Sequence, residues 1–345
     1  MQNKYLFSPA NIELDKSTIL KLWAEGFVAL NGAVAEKKFQ DQYLHNPAGV
    51  GQCFFMREQA TGEAIGVQCL VPRQFYRGDK KIQAATMADF MVTLAHRSLG
   101  PALQLMRGCM ENGIADFDFL YGFPNQKAQS IFKRAGLSPL GNMARHVKLL
   151  KSRDFLQKKI GEPWFSVASA IFDAVLYIAD LVRYFIFKEK YDWREMTAFD
   201  ASFEKLWRKQ VSSGLLISDR SENLLKWRYP PSHSWKIFAA YARNSTTLLG
   251  YVVWTQQGTN ITISDFLCEA NALPALLHSF SWKMRKYKAR RITAEFFGPQ
   301  PTQDALRHAG FEVRDQDPVF IFQGTSELSL AQANCYLTQF DRDTN

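Results

Sequence analysis

The chain alternates between apolar runs typical of strands and segments whose apolar residues recur every three or four positions, as in helices. In the first half a helical pattern covers residues 19–30. The apolar segments QCFFMRE, IGVQCLVPRQF and IQAATMADFMVTL, separated by turn-rich stretches, predict three strands. A helix (PALQLMRGCMENG), a strand (ADFDFLYGF), a helix (NQKAQSIFKRAG) and a strand (MARHVKLLK) follow. Residues 1–150 therefore predict one α/β unit built around a mostly antiparallel sheet.

A similar order of elements recurs from about residue 196. It predicts a helix at DASFEKLWRKQ and strands at SWKIFAAYARN, LLGYVVWTQQ and NITISDFLCE. A long helix over 273–287, a strand at RRITAEFF and a short helix at TQDALRHAGF complete it. The segments KAQSIFKRAGL and TQDALRHAGFE share the same helix-then-AG ending. The hypothesis is that the chain contains two structurally similar domains.

Between these halves lies a basic segment and then a helix whose surface is apolar nearly all the way round, Trp164 to Phe187. Its polar side chains form one narrow stripe, made of Ser166, Ser169, Asp173 and Asp180. We expect this helix to be buried between two domains, and a surface for lipid or for an acyl chain is the alternative. Each aspartate would cost about 2.5 to 3.5 kcal/mol at the centre of a bilayer, so no membrane span is expected.

The composition is that of a globular protein: 47% of the 345 residues are hydrophobic and 22% are charged. The formal charge of +9 favours anionic partners such as phosphorylated cofactors, nucleic acid or a membrane surface. The five cysteines include no C-x-x-C pair, and the histidines show no ligand spacing, so neither a disulfide framework nor a metal site is predicted. The first residues lack the apolar core of a secretory signal. We expect a cytoplasmic protein.

The segment MVTLAHRSLGPALQL, residues 91–105, takes a strand directly into a helix. The first N–H groups of a helix have no intrahelical partners, and the helix dipole adds partial positive charge there. Such a turn is suited to phosphate. Gly100 lets an anion approach the backbone, Ala102 keeps the next turn open, and Pro101 fits the first turn of a helix.

The hexapeptide Arg97-Ser98-Leu99-Gly100-Pro101-Ala102 resembles the Q/R-x-x-G-x-G/A motif of the GNAT acyltransferases (GCN5-related N-acetyltransferases). In that family the motif holds the pyrophosphate of acetyl-CoA. ADFMV before the motif, and FDFLYGFPN followed by AQSIFKRAGL after it, are similar to the family's fourth strand, fifth strand and next helix. The resemblance implies an α/β (α+β) fold with two GNAT-like domains, each a mixed, mostly antiparallel sheet flanked by helices. The predicted domains are 1–150, a helical linker at 151–195, and a degenerate second domain at 196–345.

The same resemblance implies positions for the donor, acetyl-CoA or a longer acyl-CoA. Backbone groups of Met91, Val92 and Leu94 would bind its amide-bearing arm as an added strand does. Asn125 matches a position that often contacts that arm. The pyrophosphate would lie on a set of residues at the turn, namely Arg97, Ser98, Leu99, Gly100 and Ala102.

Acyl transfer to an amine requires a base for the ammonium proton and often an acid for the leaving thiolate. Asp89 is the candidate base. Many GNAT enzymes use a tyrosine as the acid at the position of Phe132, which has no hydroxyl, and Tyr121 is the candidate substitute. In the second half, ISDFLCEANALPALL carries neither the arginine nor the glycine of the motif, and Leu306 matches Phe132, so that domain is not expected to bind CoA in the same way.

These observations predict an acyl-CoA-dependent N-acyltransferase that acts on a small amine acceptor such as an amino sugar, an aminoglycoside or a peptide. The acceptor would attack the thioester directly, because no cysteine or serine lies in a nucleophile setting. One alternative is an aminoacyl-tRNA-dependent transferase, in which the basic segment KMRKYKARR contacts tRNA. The other, prompted by Phe132, is a non-catalytic CoA-binding or scaffold protein. Peripheral contact with a membrane also stays open.

Overall fold

A computed structural model describes residues 4–153, 164–231, 234–324, 330–331 and 334–343 of the chain. The chain divides into two compact units, and both are discontinuous in sequence. Unit 1 consists of Met1–Asn142, Asp317–Leu330 and Arg342–Asn345, and unit 2 of Met143–Gln316 and Ala331–Asp341. Strands and helices are numbered below in chain order across both units.

Unit 1 contains a mixed sheet with the strand order β1-β2-β3-β4-β5-β13. Neighbouring strands are antiparallel except β4 and β5, which are parallel. The strands are β1 (Tyr5–Pro9), β2 (Gln52–Glu58), β3 (Ala64–Arg77), β4 (Lys80–Val92), β5 (Phe119–Gly122) and, from Asp317 onward, β13 (Glu312–Gln323). The helices are α1 (Lys16–Gly26), α2 (Gly32–Phe39), α3 (Leu99–Gly113) and α4 (Gln129–Ala135), with a π-helical turn at Gln40–Leu44 and a 3₁₀ turn at Leu94–His96.

Both faces of this sheet are covered, because successive side chains of a strand point to opposite sides. On β4, Met87 packs into a core formed with α3 and α4, where Leu105 and Phe132 are buried. Its neighbour Ala88 packs into the opposite core, formed with α1, α2 and the π-helical turn. The functional groups described below lie at the edges of these two cores.

Unit 2 repeats this strand order as β7-β9-β10-β11-β12-β6, with β11 and β12 as the parallel pair. The strands are β6 (Ser138–Leu149), β7 (Tyr191–Met196), β8 (Leu216–Ser218), β9 (Trp235–Ala242), β10 (Leu248–Gln257), β11 (Asn260–Cys268), β12 (Arg291–Phe297) and β14 (Cys335–Thr338). The helices are α5 (Trp164–Phe187), α6 (Ala201–Val211), α7 (Glu222–Arg228), α8 (Leu273–Lys286) and α9 (Gln300–His308), with a 3₁₀ turn at Gln339–Asp341.

The shared AG endings have the same geometry in both units. Gly136 follows α4 with φ of 110° and Gly310 follows α9 with φ of 88°, a left-handed conformation that favours glycine. The amide of Leu137 donates to the carbonyl of Phe132 (3.1 Å), as Phe311 does to Leu306 (3.0 Å). The matching strand orders and helix ends support the hypothesis of two similar domains.

The bounds of the units differ from the domains predicted at 1–150, 151–195 and 196–345. The last strand of unit 1 is supplied by residues 317–323 and that of unit 2 by residues 144–149. Periodicity identifies a strand but not the sheet it joins, so this exchange leaves no local signal in the sequence. The domain assignment itself stays a prediction.

Helix α5 corrects one expectation, because it is not buried. Most of its polar stripe faces the protein: Ser169 and Asp180 are buried and Asp173 is half-buried, although Ser166 at the start of the helix is exposed. Large apolar side chains on the opposite side are exposed. Periodicity shows that one side of a helix is more polar than the rest, but it does not show which side faces the protein. In most surface helices the polar side faces water, whereas in α5 it faces the protein. Among the helices that the structure describes, none is long and apolar enough to cross a membrane.

Candidate acyl-donor site

Strands β4 and β5 diverge, and the gap between them, called here the β4–β5 gap, is the first feature of the site. They pair only from Ala84 with Phe119 to Thr86 with Tyr121, after which β4 continues to Val92. No strand of the described chain fills this gap. One backbone edge of β4 around Met91 therefore lacks a strand partner.

The predicted arm-binding residues are split by the end of β4. Met91 and Val92 lie on the strand, where their side chains are buried and their neighbours on β3 are Val67 and Gly66. Leu94 lies beyond the strand, in the 3₁₀ turn, with its side chain 80% exposed. The edge suited to an added strand thus ends two residues before Leu94.

A β-bulge places Asp89 beside the gap. On β3, Val67 pairs with Met91 and Cys69 pairs with Ala88, so two residues of β4 oppose Gln68 alone. Asp89 has φ of 53°, which aspartate tolerates better than most residues. The side-chain amide of Gln68 donates to the Ala88 carbonyl (2.9 Å), which fixes the distorted backbone.

The carboxylate of Asp89 is buried and accepts hydrogen bonds from two side chains. Lys38 Nζ lies 2.6 Å from one oxygen and the Tyr43 hydroxyl 2.5 Å from the other. Burial raises the pKa of Tyr43 well above its usual value, and the charge of Asp89 acts in the same direction. The hydroxyl therefore stays protonated and continues to donate. Sequence reasoning missed Lys38 and Tyr43, which lie 51 and 46 residues before Asp89.

A second carboxyl group lies in the same electrostatic environment. Burial raises the pKa of Asp343, the negative charge of Asp89 adds to this effect, and the positive charge of Lys38 opposes it. The backbone carbonyl of Asp343 accepts from the side-chain amide of Gln42 (3.4 Å). Two carboxyl groups near one ammonium group favour retention of a proton by one of them. Nothing in the sequence near Asp343 indicates this placement.

Tyr121, the candidate acid, lies at the start of the gap on the face opposite Leu120. Its ring packs edge-on against Phe75 and Phe123, and the residue is 2% exposed. The neighbouring Thr86 hydroxyl is buried, with no hydrogen-bond partner in the described part of the chain. A hydroxyl-bearing residue therefore lies on each strand where the two diverge.

Phe132 belongs to the core on the other face of the sheet. It is 3% exposed and packs edge-on against Phe320, with its ring centroid 5.8 Å away. The side chain is therefore an apolar packing element, and it supplies no hydroxyl to the gap. Phe132 therefore cannot act as the acid for the leaving thiolate, the role that the sequence resemblance implies for a tyrosine at this position.

The first turn of α3 forms the second feature of the site, called here the helix mouth and defined by the amides of Leu99, Gly100 and Ala102. The helix begins at Leu99, and its N-cap residue Ser98 makes no side-chain hydrogen bond to it. A Cβ atom at Gly100 would meet no described atom within 4 Å. Both Ser98 and Gly100 are exposed. The mouth is therefore open, as the sequence predicts.

Two other predicted residues have local partners. The Arg97 side chain is exposed and its Nε donates to the Val92 carbonyl (3.3 Å), which links the helix mouth to the end of β4. Asn125 accepts hydrogen bonds from the amides of Lys127 and Ala128 and so stabilises the turn before α4. That helix begins at Gln129, four residues later than the sequence pattern suggests. The assignment of donor contacts to both residues stays a prediction.

The corresponding gap in unit 2 is filled by the chain itself. Strands β11 and β12 pair only from Asn260 with Arg291 to Ile263 with Ala294. Beyond that point β14 pairs antiparallel with β12, and the Tyr336 hydroxyl donates to the β11 carbonyl of Phe266 (2.7 Å). Strand β14 therefore occupies the place that stays open in unit 1.

Asp265 on β11 directly follows a bulge at Ser264, whereas Asp89 lies within the bulge of β4. It is fully buried and forms an ion pair with Arg220 Nε (3.1 Å), and Arg220 also pairs with Asp341 (3.0 Å). Burial raises the pKa of Asp265 and the positive charge of Arg220 opposes that rise. This network holds β11 and the end of β14 together, and it leaves the carboxylate no access to a substrate.

Within the described ranges, no group of three or more His, Cys, Asp or Glu side chains is arranged to hold a metal ion. The thiol of Cys69 lies beside the Asp89 cluster, where burial raises its pKa well above the usual value. It is therefore a neutral thiol, which is a poor nucleophile.

No protein-family model matches the sequence, and no curated protein matches it. Solved structures do match. A GCN5-related N-acetyltransferase from Anabaena variabilis ATCC 29413 is 14% identical, with a TM-score of 0.63 over 92% of this chain and 72% of that chain. A probable N-acyltransferase of unknown function from Enterococcus faecalis V583 is 10% identical, with a TM-score of 0.65 over 93% of this chain and 73% of that chain.

A third match is the N-myristoyltransferase of Saccharomyces cerevisiae with bound myristoyl-CoA. It is 10% identical, with a TM-score of 0.54 over 93% of this chain and 83% of that chain. At these identities the matches establish the fold. With the open gap after the β4 bulge, the helix mouth that follows it and the repeated strand order, they show that this chain has the fold of the GNAT acyltransferases.

Proposed function

We propose that the protein is an acyl-CoA-dependent N-acyltransferase whose donor thioester binds in unit 1. The observation that carries the proposal is the open helix mouth that follows the unpaired edge of β4 after one 3₁₀ turn. The pyrophosphate of CoA would bind at the helix mouth. Its pantetheine arm, which is an extended chain with two amides, would bind along the edge of β4. In unit 2 the corresponding gap is filled by β14. The proposed donor site is therefore the one in unit 1.

The described residues match the chemistry of the donor. Two or three amides at the helix mouth and the helix dipole attract the pyrophosphate, and the exposed guanidinium of Arg97 adds a positive charge beside them. The backbone of Val92, at the unpaired edge of β4, can bind a pantetheine amide as a neighbouring strand would, whereas the backbone of Met91 pairs with Val67 on β3. The bound myristoyl-CoA of the yeast N-myristoyltransferase supports a CoA thioester as the donor.

The acceptor amine must lose a proton before or during its attack on the thioester carbon. Asp89 keeps acceptor capacity because a carboxylate has about four lone-pair sites and two donors bind it here. Asp343, whose pKa is raised, is the second candidate for the proton acceptor. The attacking nitrogen forms the new amide bond, the carbon–sulfur bond breaks, and CoA leaves as a thiolate that takes up a proton.

Protonation of that thiolate is assigned to Tyr121 or to water, since Phe132 has no hydroxyl. The acceptor is a small amine, with amino sugars, aminoglycosides and peptides as the classes to test, and the acyl group is acetyl or longer. These assignments follow the resemblance in sequence and the fold.

Calorimetry with CoA, acetyl-CoA and myristoyl-CoA, beside total tRNA, tests the donor. We expect saturable binding of the CoA compounds and a preference for one acyl length. A thiol-release assay over a panel of amines then tests catalysis. Binding without release across the panel would favour a CoA-binding scaffold, and salt-sensitive binding of tRNA alone would favour the aminoacyl-tRNA reaction.

A further inference from the structure

The outward surface of α5 is a continuous strip of exposed apolar side chains, called here the apolar ridge. Each of its members is between 53% and 62% exposed: Val167, Ile171, Val175, Ile178, Val182, Phe185 and Ile186. Their spacing of mostly three and four residues places them on one side of the helix. From first to last the ridge spans about 28 Å at 1.5 Å per residue. An exposed apolar surface of this extent marks an interaction site.

Buried ion pairs fix the orientation of the helix. Asp180 binds Lys148 Nζ (2.8 Å) and Arg285 Nη2 (2.6 Å), and Asp173 accepts a hydrogen bond from the Ser152 hydroxyl (2.7 Å). The side chains of Asp180 and Lys148 are 4% and 5% exposed. Rotating α5 to hide the ridge would break these pairs and leave charges unpaired, which is strongly unfavourable. The ridge is therefore held outward.

The width of the apolar surface argues for an extended partner. Phe172 on one flank of the ridge and Tyr177 on the other are 48% and 47% exposed, so the apolar arc covers more than half of the helix circumference. A second helix of the coiled-coil type would cover a narrow seam and would need charged residues beside it. The three charged residues of α5, namely Asp173, Asp180 and Arg183, lie together on the other side. A bilayer interface covers the whole arc at once.

The surroundings of the ridge match an anionic lipid surface. Lys188 follows the helix, with its Nζ 5.0 Å from the ring of Phe185 and 3.6 Å from the carboxylate of Glu189. Lys190 lies two residues further on. Beside the helix, Tyr184 and Trp282 stack with ring centroids 5.6 Å apart, and such rings favour the level of lipid headgroups.

The same two rings line a cleft of about 590 Å³. Its cationic side chains are Arg194, Lys283 and Lys286, and its acidic ones are Asp192 and Glu195. Lys283 forms an ion pair with Glu195, whereas Lys286 is exposed. A cleft with cations and aromatic rings beside an apolar ridge is suited to an anionic headgroup.

We propose that α5 lies flat in the interface of an anionic lipid bilayer. The apolar ridge inserts among the acyl chains, and the cleft on its flank accepts the phosphate of a headgroup. The polar side of the helix stays packed against the rest of unit 2. Membrane binding of this kind depends on both buried apolar area and charge, so the two can be tested separately.

Flotation of the full chain with vesicles tests the proposal. We expect binding to vesicles of phosphatidylglycerol and phosphatidylcholine mixed equally, and much weaker binding to pure phosphatidylcholine. The triple variant Ile171→Ser, Ile178→Ser, Val182→Ser removes apolar area without changing the charge. It should lower the partition coefficient by about tenfold or more, given the contribution of each buried aliphatic side chain.

A matched control places serine at exposed valines elsewhere, in the triple variant Val28→Ser, Val50→Ser, Val313→Ser. This control should float like the wild type. Lys286→Gln should weaken binding to the anionic vesicles and leave the weak binding to phosphatidylcholine unchanged. Equal flotation of the wild type and the ridge variant would overturn the proposal.

Two further measurements test whether the apolar ridge inserts into the bilayer and whether a second copy of the chain covers it instead. Val175→Cys carrying an environment-sensitive fluorophore should shift to the blue on anionic vesicles and be quenched by spin-labelled lipids, whereas labelled Val28→Cys should do neither. Light scattering over a range of protein concentrations tests a second copy as the occupant. A dimer that the ridge variant abolishes, without vesicle binding by the wild type, would replace the bilayer with a second copy of the chain.

Discussion

Substitutions of Gly100 can distinguish an effect on donor binding at the helix mouth from an effect on folding. The residue lies in the first turn of α3, and an added Cβ would meet no described atom within 4 Å. Gly100→Ala should therefore leave the fold intact and raise the free energy of unfolding by about 0.5 to 1 kcal/mol, because glycine is the poorer helix former. Any loss of donor affinity would then come from contact between the new side chain and the bound donor, and not from unfolding.

Gly100→Glu gives the larger effect and an estimate of its size. A carboxylate about 5 Å from a bound pyrophosphate charge is unfavourable by about 0.8 kcal/mol at the dielectric constant of water and about 3.3 kcal/mol at an effective value of 20. Affinity for acyl-CoA should thus fall by about 4-fold to 250-fold. A negative charge near a helix N-terminus stabilises the helix, so the free energy of unfolding should stay the same or rise. The variant should lose affinity without losing stability.

Calorimetry with acetyl-CoA and urea unfolding measure the two quantities on the same preparations. Gly100→Gln is the matched control, because it has nearly the same size as the glutamate variant and no charge. The difference between the two variants should shrink as salt is added, since screening weakens the repulsion. If Gly100→Glu binds acetyl-CoA as tightly as the wild type at low salt, the pyrophosphate does not bind at this turn.

Three other outcomes are expected. Asp180→Asn leaves the buried ammonium of Lys148 without its carboxylate partner, and urea unfolding should show a loss of about 3 to 5 kcal/mol, or less if Lys148 releases its proton. Burial lowers the pKa of His278 to about 4, so the unfolded chain binds a proton between pH 6.5 and 4 that the folded chain does not. His278 should therefore contribute a fall in stability of up to about 3 kcal/mol as the pH drops through that range, in addition to the fall from His146, whose pKa burial also lowers to about 4. His278→Phe should remove only the His278 contribution, so its stability, measured by urea unfolding, should fall less steeply with pH than that of the wild type. Asp89→Asn should slow thiol release by about 100-fold or more and leave acetyl-CoA affinity within a few-fold, measured by steady-state kinetics and calorimetry.

The helix mouth could be predicted from the sequence because every residue that forms it is local. Arg97, Gly100 and Ala102 lie within six positions. The 3₁₀ turn at Leu94–His96, which separates β4 from α3, was not predicted, because the apolar spacing suggested a strand that leads directly into a helix. Most strands and helices were predicted for the same reason, since hydrophobic spacing reports the local backbone. The AG endings at Gly136 and Gly310 likewise depend on one backbone conformation each.

The surroundings of Asp89 could not be predicted, because its partners are distant in sequence. Lys38 comes from α2, and Asp343 comes from the end of the chain. Local patterns carry no information on which charged side chains meet across a fold. The outward face of α5 was missed for the same reason: the pairing of Asp180 with Lys148 and Arg285, and not the spacing of apolar residues along the helix, decides which side faces the protein.

Strand β14 has a consequence for stoichiometry. As part of the same polypeptide, it competes for the second gap at an effective concentration in the millimolar range or above, and free acyl-CoA at micromolar levels cannot displace it. One chain should consequently titrate with a single equivalent of donor, although it contains two copies of the scaffold. The gap of unit 2 is thus closed to an added strand by a segment of the same chain.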